Sequence, residues 1–237
     1  MIKIEGLYKS FDSLQVLNNL TLTIPDGQAT GIVGPNGSGK TTLIKHLLGL
    51  VKADKGSIEI NGTKLNGGTH EYRKHIGYMP QIAKYPENMK LWELVDFIID
   101  IREEEPVFKD ELMKLFELDG EMHKPLRVLS GGNKQKAGAL MAMMFDPSIL
   151  ILDEPTAGLD PKSSVRFKQW IKKEKERGKT ILLTTHIMSE MEELVDYLVL
   201  LVEGNIRYYG RQSDIIQTNK EERLEGAVAK LLEGNAA

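Results

Sequence analysis

The chain has 237 residues, of which 41% are hydrophobic and 27% charged, with a net charge of −3 and no cysteine. This length suits one large α/β domain or two small ones. The charge gives no reason to expect a nucleic-acid-binding protein, and the lack of cysteine excludes disulfides, thiolate metal sites and cysteine nucleophiles. The longest apolar runs, at 139–145 and 194–202, are shorter than the ~18–20 residues that span a bilayer. If the protein works at a membrane, we expect another chain to span it.

The N-terminal quarter predicts antiparallel strands followed by a strand, a loop and a helix. Residues 1–11 and 16–24 alternate apolar and polar side chains, as half-buried strands do. A β-branched strand at 29–34 runs into glycines and then a helix at 40–50. The pattern at 55–65 indicates a second hairpin.

Helices and buried strands alternate in the middle of the chain. We predict helices over 91–117, divided at Pro106, and over 133–145. The continuous apolar runs at 149–153 and 180–186 are typical of buried parallel strands. The sequence therefore predicts at least two buried parallel strands in the core.

The C-terminal part predicts a hairpin and a helical tail. Residues 194–210 have the pattern of strand, Gly-Asn turn and strand, and before them the charge-dense segment 172–179 predicts a solvated helix face that ends at Gly178. In the tail we expect one helical face to pack on its own domain, formed by Leu224, Val228, Leu231 and Leu232.

The segment "GPNGSGKT" at 34–41 matches the P-loop pattern Gly-x-x-x-x-Gly-Lys-Thr, between a predicted strand and a predicted helix. Glycines let backbone N–H groups approach an anion, and the helix N-terminus adds positive potential. Lys40 suits the β- and γ-phosphates, and the hydroxyl of Thr41 suits Mg²⁺. The predicted nucleotide-binding residues are those of this segment and the threonine after it, namely Gly34, Pro35, Asn36, Gly37, Ser38, Gly39, Lys40, Thr41 and Thr42.

Two carboxylates follow the apolar run "ILIL" and extend the prediction to hydrolysis. Asp153 ends a buried strand, where a carboxylate is costly unless it faces a cation, so we assign it to the Mg²⁺ side. Glu154 is placed to polarise a water molecule for attack on the γ-phosphate. These residues predict a P-loop NTPase without saying which kind.

The segment "LSGG" at 129–132, about 20 residues before "ILILDEP", resembles the signature motif of ABC-transporter ATPases. Other motifs resemble the same family in the expected order along residues 1–210. They are Phe11, in the place of the aromatic residue that stacks on adenine, Gln81 of the Q-loop, Asp160 of the D-loop and the switch histidine His186.

The resemblance implies that two ATP-binding domains pair head to tail around two ATP molecules. Each ATP would lie between the P-loop of one copy and the Ser130-Gly131-Gly132 segment of the other, with Asp160 also contributing. Gln81 would contact Mg²⁺, together with Thr41 and Asp153, as well as the attacking water. The implied catalytic residues are Glu154, His186, Lys40 and Gln81. The implied cofactors are ATP and Mg²⁺.

Three positions depart from the family pattern. Asn133 stands where glutamine is most frequent, Lys136 where arginine is common, and Ala157-Gly158 where Ser-Ala is frequent. Since Lys cannot form the bidentate fork of Arg, the contacts of Lys136 are expected to differ. We expect an active ATPase with a weakened contact across the dimer at Asn133.

The resemblance implies an α/β P-loop NTPase of ABC type. Such a fold has a mostly parallel core sheet flanked by helices, with an antiparallel β-subdomain and a helical subdomain. We expect the ATPase domain over 1–210, its helical subdomain over 84–145, and a helical tail over 211–237. The remaining histidines, His46, His70, His75 and His123, match no motif and are expected on the surface. The methionines Met141, Met143 and Met144 are expected to pack in the core and not to bind copper.

The resemblance also implies partners. They are a second copy of the chain or a homologous ATPase, and an integral membrane permease that holds the protein at the cytoplasmic face of the membrane. No nucleic acid is expected. Candidate permease contacts are Tyr85, Met89, Leu91 and Trp92. In its short length the chain resembles the ATPases of exporter-type or copper-processing systems. The alternative is a soluble ABC ATPase, for instance in cluster assembly.

Overall fold

The computed structural model describes residues 1–65 and 70–234. They fall into two compact units, a first unit from Met1–Arg73 with Thr180–Ala237 and a second unit from Lys74–Lys179. The strands are β1 (Ile2–Phe11), β2 (Leu14–Ile24), β3 (Ala29–Val33), β4 (Lys55–Ile60), β5 (Thr63–Lys64), β6 (Ile76–Met79), β7 (Ile149–Asp153), β8 (Thr180–Thr184), β9 (Tyr197–Val202) and β10 (Asn205–Arg211). The helices are α1 (Lys40–Leu47), α2 (Leu91–Arg102), α3 (Lys109–Leu115), α4 (Gly131–Met143), α5 (Pro161–Glu176), α6 (Met188–Leu194), α7 (Gln212–Thr218) and α8 (Leu224–Leu232).

The first unit begins with an antiparallel sheet of order β2-β1-β4-β5. Ile4 of β1 pairs with Leu22 of β2 on one side and with Ile58 of β4 on the other. These three side chains are buried, while their neighbours along each strand are more exposed. The structure therefore confirms the prediction, made from the alternating sequence pattern, that these strands have one buried face.

The second sheet of the first unit is largely parallel. β3 lies between β8 and β9 and runs parallel to both, and β9 pairs with β10 in antiparallel fashion. Every residue of β3 and β8 is buried, as expected of strands covered on both faces. The predicted Gly-Asn turn is wrong by one residue. The turn is Glu203-Gly204, where both φ angles are positive (47° and 73°), as a two-residue hairpin turn of type I′ requires, and Asn205 already belongs to β10.

The C-terminal tail is helical and packs on the first unit. α8 contacts α6 and α7, and its Leu224 and Val228 are buried, whereas Leu232 is exposed. The backbone N–H of Leu224 donates to the carboxylate of Glu192 on α6. This confirms the expectation that the helix packs on its own domain. Residues 235–237 of the predicted tail lie outside the described residues.

The second unit contains the parallel pair β6–β7, with α4 packed on β6. The approach is close: a Cβ on Gly77 of β6 would lie 2.0 Å from the carbonyl oxygen of Ala142. Elsewhere in the unit, Phe116 and Phe167 form a fully buried edge-to-face pair with centroids 5.3 Å apart. Truncating such a ring to Ala costs about 3–5 kcal/mol of stability.

The helix boundaries confirm one expectation and correct another. The predicted break at Pro106 is confirmed, because α2 ends at Arg102 and α3 begins at Lys109. α4, however, begins at Gly131 and not at 133, since Ser130 caps it by accepting the N–H of Asn133 at 3.1 Å.

The end of α5 differs from the expected solvated face. Gly178 stops the helix with a φ of 86°, as predicted. Glu174, by contrast, is only 2% exposed and lies 2.9 Å from Arg177 and 3.2 Å from Lys179. The charge-dense sequence therefore includes a buried ion-pair network, which charge counting alone does not separate from a solvated face.

His70, His75 and His123 are exposed as expected, but the prediction of an exposed His46 is wrong. His46 is 1% exposed and lies on the inner side of α1, with Nδ1 2.7 Å from the carbonyl oxygen of Thr42. A single imidazole carries no periodicity that would have placed it inward. Met143 and Met144 are buried, which agrees with the predicted core packing. Among residues 1–65 and 70–234, no helix is both long and apolar enough to cross a membrane.

Candidate active site

The predicted P-loop connects β3 to α1 in the first unit. Its three glycines, Gly34, Gly37 and Gly39, have positive φ angles of 154°, 80° and 106°. The first turn of α1 contains no acidic residue, so nothing there neutralises the positive end of the helix. The loop therefore presents a backbone and a helix terminus that both suit an anion.

The glycines serve different purposes in this loop. A Cβ on Gly34 would lie 2.0 Å from the carbonyl oxygen of Leu201, and one on Gly39 would lie 2.7 Å from a methyl carbon of Leu17. A Cβ on Gly37 would meet nothing within 4 Å. Gly34 and Gly39 thus permit close packing inside the unit, while Gly37 leaves backbone open on the side where a phosphate can approach.

Polar side chains complete this loop. The Lys40 ammonium donates to the carbonyl oxygens of Gly34 at 2.7 Å and Pro35 at 3.0 Å, so it spans the loop. The hydroxyl of Ser38 is buried and has no hydrogen-bond partner among the described residues. Thr41 is exposed and Thr42 half-buried in the first turn of α1, and Pro35 and Asn36 are exposed. An unpaired hydroxyl and a positioned ammonium fit a polyphosphate chain.

Two further predicted residues lie in the first unit. Phe11 ends β1 at a hairpin tip and is 46% exposed, so its ring is open to stacking. His186 follows β8 by two residues and is exposed. Because β8 and β3 are parallel neighbours, His186 and the P-loop leave their strands at the same edge of the sheet. The first unit therefore places the predicted switch histidine at the same edge of the sheet as the P-loop.

The second unit places three predicted residues at one edge. Gln81 follows β6 by two residues, while Asp153 ends β7 and Glu154 follows it, and the two strands are parallel. Asp153 is 9% and Glu154 8% exposed. Glu154 has a φ of 51°, in the left-handed region that non-glycine residues rarely adopt. Strain of this kind is frequent at functional sites.

The predicted signature segment forms the start of α4. Ser130 is the N-cap, and Gly131 and Gly132 are the first two helical residues. A Cβ on Gly131 would meet nothing within 4 Å, whereas one on Gly132 would lie 2.8 Å from the carbonyl oxygen of Gly158. Gly131 is therefore the open side of this helix terminus, and Gly132 packs against the predicted D-loop.

Two side chains of α4 fix the loop that follows β7. Gln135 donates from Nε2 to the carbonyl oxygen of Glu154 at 2.9 Å, and the ammonium of Lys136 lies 3.1 Å from Asp160. Both are 7% exposed. Asp160 caps α5 by accepting from the N–H and hydroxyl of Ser163, and these bonds with the Lys136 ion pair hold the pKa of Asp160 far below its usual range. We refer to Glu154–Asp160 as the catalytic turn.

Sequence reasoning missed the role of Gln135 and saw Lys136 only as a departure from arginine. A signal was present, since the two polar residues precede a run of Ala, Gly and Met and lie one turn after the signature glycines. Polar side chains on an otherwise small and apolar helix require hydrogen-bond partners when buried.

The predicted permease contacts have mixed exposure. Tyr85 and Met89 are half-buried and Trp92 is 36% exposed, but Leu91 is 0% exposed and cannot contact a partner. Leu91 is the first residue of α2 and faces inward with Leu94 and Val95. A cavity of ≈ 280 Å³ in the same unit is lined by Ala83, Lys84, Tyr85, Glu87, Leu126 and Lys134.

Comparison with known proteins places these features in a family. The sequence profile described as ABC transporter matches residues 17–157, which include the P-loop, the signature segment and the catalytic turn as far as Ala157. The chain belongs to the ABC transporter ATP-binding family. It is an ATPase whose hydrolysis is coupled to transport.

Relatives of this ABC ATPase include transporter subunits of both directions. It is 31% identical over 224 residues to a Nod factor export ATP-binding protein I of Ralstonia nicotianae, covering 91% of this chain and 68% of that protein. It is 32% identical over 227 residues to a sulfate/thiosulfate import ATP-binding protein CysA of Bacillus cereus, covering 91% of this chain and 63% of that protein.

A solved structure agrees with the fold. The dimeric post-hydrolysis state of the ATP-binding cassette MJ0796 bound to ADP and Pi matches with a TM-score of 0.80 and 25% identity, covering 89% of this chain and 98% of that one. The predicted α/β fold of ABC type is thereby confirmed, and that cassette is dimeric with hydrolysis products bound.

Proposed function

We propose that this ABC ATPase works as a dimer that closes around ATP and drives a membrane permease from the cytoplasmic face. The observation that carries the proposal is the bonding of the signature helix to the catalytic turn. Gln135 and Lys136 of α4 hold Glu154 and Asp160 respectively. A second copy that binds ATP at Ser130, Gly131 and Gly132 would therefore act on the helix that supports the general base.

The chemical roles follow from the residue types. In hydrolysis, a water oxygen bonds to the γ-phosphorus as the bond from that phosphorus to the bridging oxygen of ADP breaks. Glu154 accepts the proton of the water, Lys40 balances charge on the phosphates, and His186 holds the γ-phosphate geometry. Phe11 stacks on the adenine ring. Gln81 orients the water.

Mg²⁺ fits the available donors. The described residues contain no group of three or more acidic, histidine or cysteine side chains that could cage a metal by themselves. Mg²⁺ usually keeps waters and substrate phosphate oxygens and takes only one or two protein ligands. We therefore assign Thr41, Asp153 and Gln81 to it; when bound, the metal neutralises charge on the β- and γ-phosphates.

A complementation experiment tests the head-to-tail dimer. Lys40→Ala removes the P-loop ammonium, and Gly131→Arg blocks the signature at a position where an added Cβ would meet nothing within 4 Å. Each variant alone should be inactive, because both of its sites contain the defect. An equimolar mixture should recover up to about a quarter of the wild-type phosphate release, since half of the dimers are mixed and have one intact site. A mixture as inactive as its components would contradict the shared site.

The permease contact is assigned to the cavity beside the predicted Q-loop. Tyr85 and Leu126 offer apolar surface there, while Lys84, Lys134 and Glu87 offer charge. Burial raises the pKa of Tyr85 to about 12, so its hydroxyl stays protonated and can donate. This mixed lining suits a short amphipathic helix of the permease.

We further propose export as the direction, because the relative from Ralstonia nicotianae is named for export. Because the relative from Bacillus cereus is named for import, import is the alternative that the experiment must exclude. Purification of the tagged chain from detergent-solubilised membranes, followed by identification of the integral protein, tests both points. Recovery of a periplasmic-type substrate-binding protein in the complex would contradict export.

The same purification tests the assigned permease contact. Loss of the integral protein in Tyr85→Ala, but not in His123→Ala, would support that contact.

A further inference from the structure

The exposed ring of Phe11 needs support that its own hairpin gives weakly. Phe11 pairs with Leu14 directly across the turn, and nearly half of the side chain is exposed. The pairing of β1 with β2 shifts register between Leu7 and Lys9 and again between Lys9 and Ser10. Pairing of β1 with β4 ends at Tyr8. The regular ladder is therefore interrupted just before the ring.

Asp54, which precedes β4, supplies the missing bonds. Its carboxylate accepts from the Lys9 ammonium at 2.8 Å and from the backbone N–H of Ser10 at 2.7 Å. Its own N–H donates to the carbonyl oxygen of Tyr8 at 3.0 Å. The three residues that precede Phe11 are thus all bonded to one residue outside the hairpin.

Lys9 connects this carboxylate to the ring itself. Its ammonium lies over the Phe11 ring, 5.2 Å from the centroid, and its side chain is only 15% exposed. Lys9 and Ser10 hold the pKa of Asp54 below its usual range, so the carboxylate is ionised at neutral pH. A cation on one face of an aromatic ring is attracted by its quadrupole and leaves the other face for a base.

We propose that Asp54 and Lys9 are positioning residues that hold Phe11 for stacking on the nucleotide base. The proposal rests on the assignment of Phe11 as the base platform. It predicts that the two residues affect the affinity for the base and leave the affinity for the phosphates unchanged.

The experiment compares Mg-ADP with Mg-pyrophosphate by calorimetry on the purified chain, since neither ligand is hydrolysed or needs the closed dimer. Phe11→Ala should weaken ADP on the order of 5- to 150-fold, which is the range of base stacking. Asp54→Asn and Lys9→Met should weaken ADP about two- to tenfold. All three should leave pyrophosphate within about twofold of the wild type.

Matched controls separate positioning from general damage. Asp12→Asn makes the same chemical change at the hairpin tip, in a left-handed conformation that Asn tolerates. Lys55→Met removes a neighbouring ammonium that lies over Tyr8 and not over Phe11. Both should bind ADP like the wild type, and Lys9→Arg, which keeps the cation, should recover most of the affinity. In steady-state ATP hydrolysis, Asp54→Asn should raise KM and leave kcat unchanged.

The double variant Phe11→Ala with Asp54→Asn decides whether Asp54 acts through the ring. It should bind ADP no more weakly than Phe11→Ala alone. An additive loss, or an equal loss of pyrophosphate affinity in Asp54→Asn, would overturn the positioning role while the platform assignment stands. Unchanged ADP affinity in Phe11→Ala would overturn the platform and this proposal with it.

Discussion

The P-loop of the first unit and the catalytic turn of the second unit are ordered in different ways. The P-loop is shaped by glycine backbone that packs against neighbouring strands, with Gly34 against Leu201 and Gly39 against Leu17. The catalytic turn contains a non-glycine residue in the left-handed region, Glu154, and depends on side chains of another helix to hold it. In the proposed site, anion binding would thus rest on backbone geometry, whereas catalysis would rest on a turn that is bonded to a neighbouring helix.

This difference predicts separate effects of mutation. Changes in the P-loop should reduce nucleotide affinity and stability together, because the same atoms serve both. Changes in the catalytic turn should reduce turnover while nucleotide affinity is retained.

The largest expected effect is that of Glu154→Gln. Removing the proton acceptor should lower ATP turnover by roughly 10²- to 10⁴-fold, the usual contribution of general base catalysis, with ADP affinity unchanged. Phosphate release and calorimetry measure the two quantities. The control is Glu103→Gln, since Glu103 is also in the left-handed region but exposed at the end of α2. If Glu154→Gln turned over ATP as fast as the wild type, Glu154 would not be the general base.

The second prediction separates the two kinds of glycine in the P-loop. Gly34→Ala should lose both nucleotide binding and stability, because the added Cβ would lie 2.0 Å from the backbone oxygen of Leu201. Gly37→Ala should lower stability by only about 1–2 kcal/mol, the cost of a left-handed non-glycine residue, and weaken nucleotide binding mainly by filling the open side. Thermal unfolding with and without ADP distinguishes the variants. Equal melting temperatures for the two would contradict the distinction.

The sequence predicted the parts of this site that depend on local patterns. The P-loop glycines and the strand ends that carry Asp153 and Glu154 follow from motifs a few residues long, whereas the start of α4 was predicted two residues late. The tertiary contacts were not predictable in this way. Neither the inward position of His46 nor the bond from Gln135 to Glu154 has a periodic or spaced signature, because each depends on which elements pack together.

The strands and loops show the same division. Buried parallel strands were predicted from continuous apolar runs, and the break at Pro106 from the chemistry of proline. The turn at Glu203-Gly204 was misplaced because Asn205 is the more usual turn residue, while the structure puts Glu203 in the left-handed region instead. The predicted helical subdomain over 84–145 remains a prediction.

The third prediction concerns the ion pair that joins α4 to the catalytic turn. Lys136→Met leaves Asp160 without its cation and should lower kcat on the order of tenfold by misplacing the turn, with ADP affinity unchanged. Lys136→Arg restores the cation and should recover most of the rate. Lys134→Met, which removes an ammonium two residues earlier on α4 at the wall of the cavity, is the control. A Lys136→Met enzyme with a reduced affinity for ADP and a normal kcat would show that the pair serves binding instead.

The smallest expected effect tests the buried histidine behind the P-loop. Burial lowers the pKa of His46, with Lys9 acting in the same direction and Asp54 and the carbonyl of Thr42 against it. The unfolded chain, with an ordinary histidine pKa of about 6.5, therefore binds the proton more readily than the folded protein. Stability should be full above that pH and decrease as the pH falls from about 7.5 towards 5.5, by less than about 1.4 kcal/mol per pH unit, the limit for one proton.

Urea unfolding at several pH values measures this slope. His46→Asn keeps a donor near the position of Nδ1 for the carbonyl of Thr42 and has no titrating group, so its slope over this range should be smaller than that of the wild type. His75→Asn, at an exposed position, should leave the slope unchanged. If both variants keep the wild-type slope, another group is responsible for the pH dependence, and the helix behind the P-loop is insensitive to pH. If only His46→Asn flattens it, acidification weakens the first unit through the same helix that carries Lys40 and Thr41.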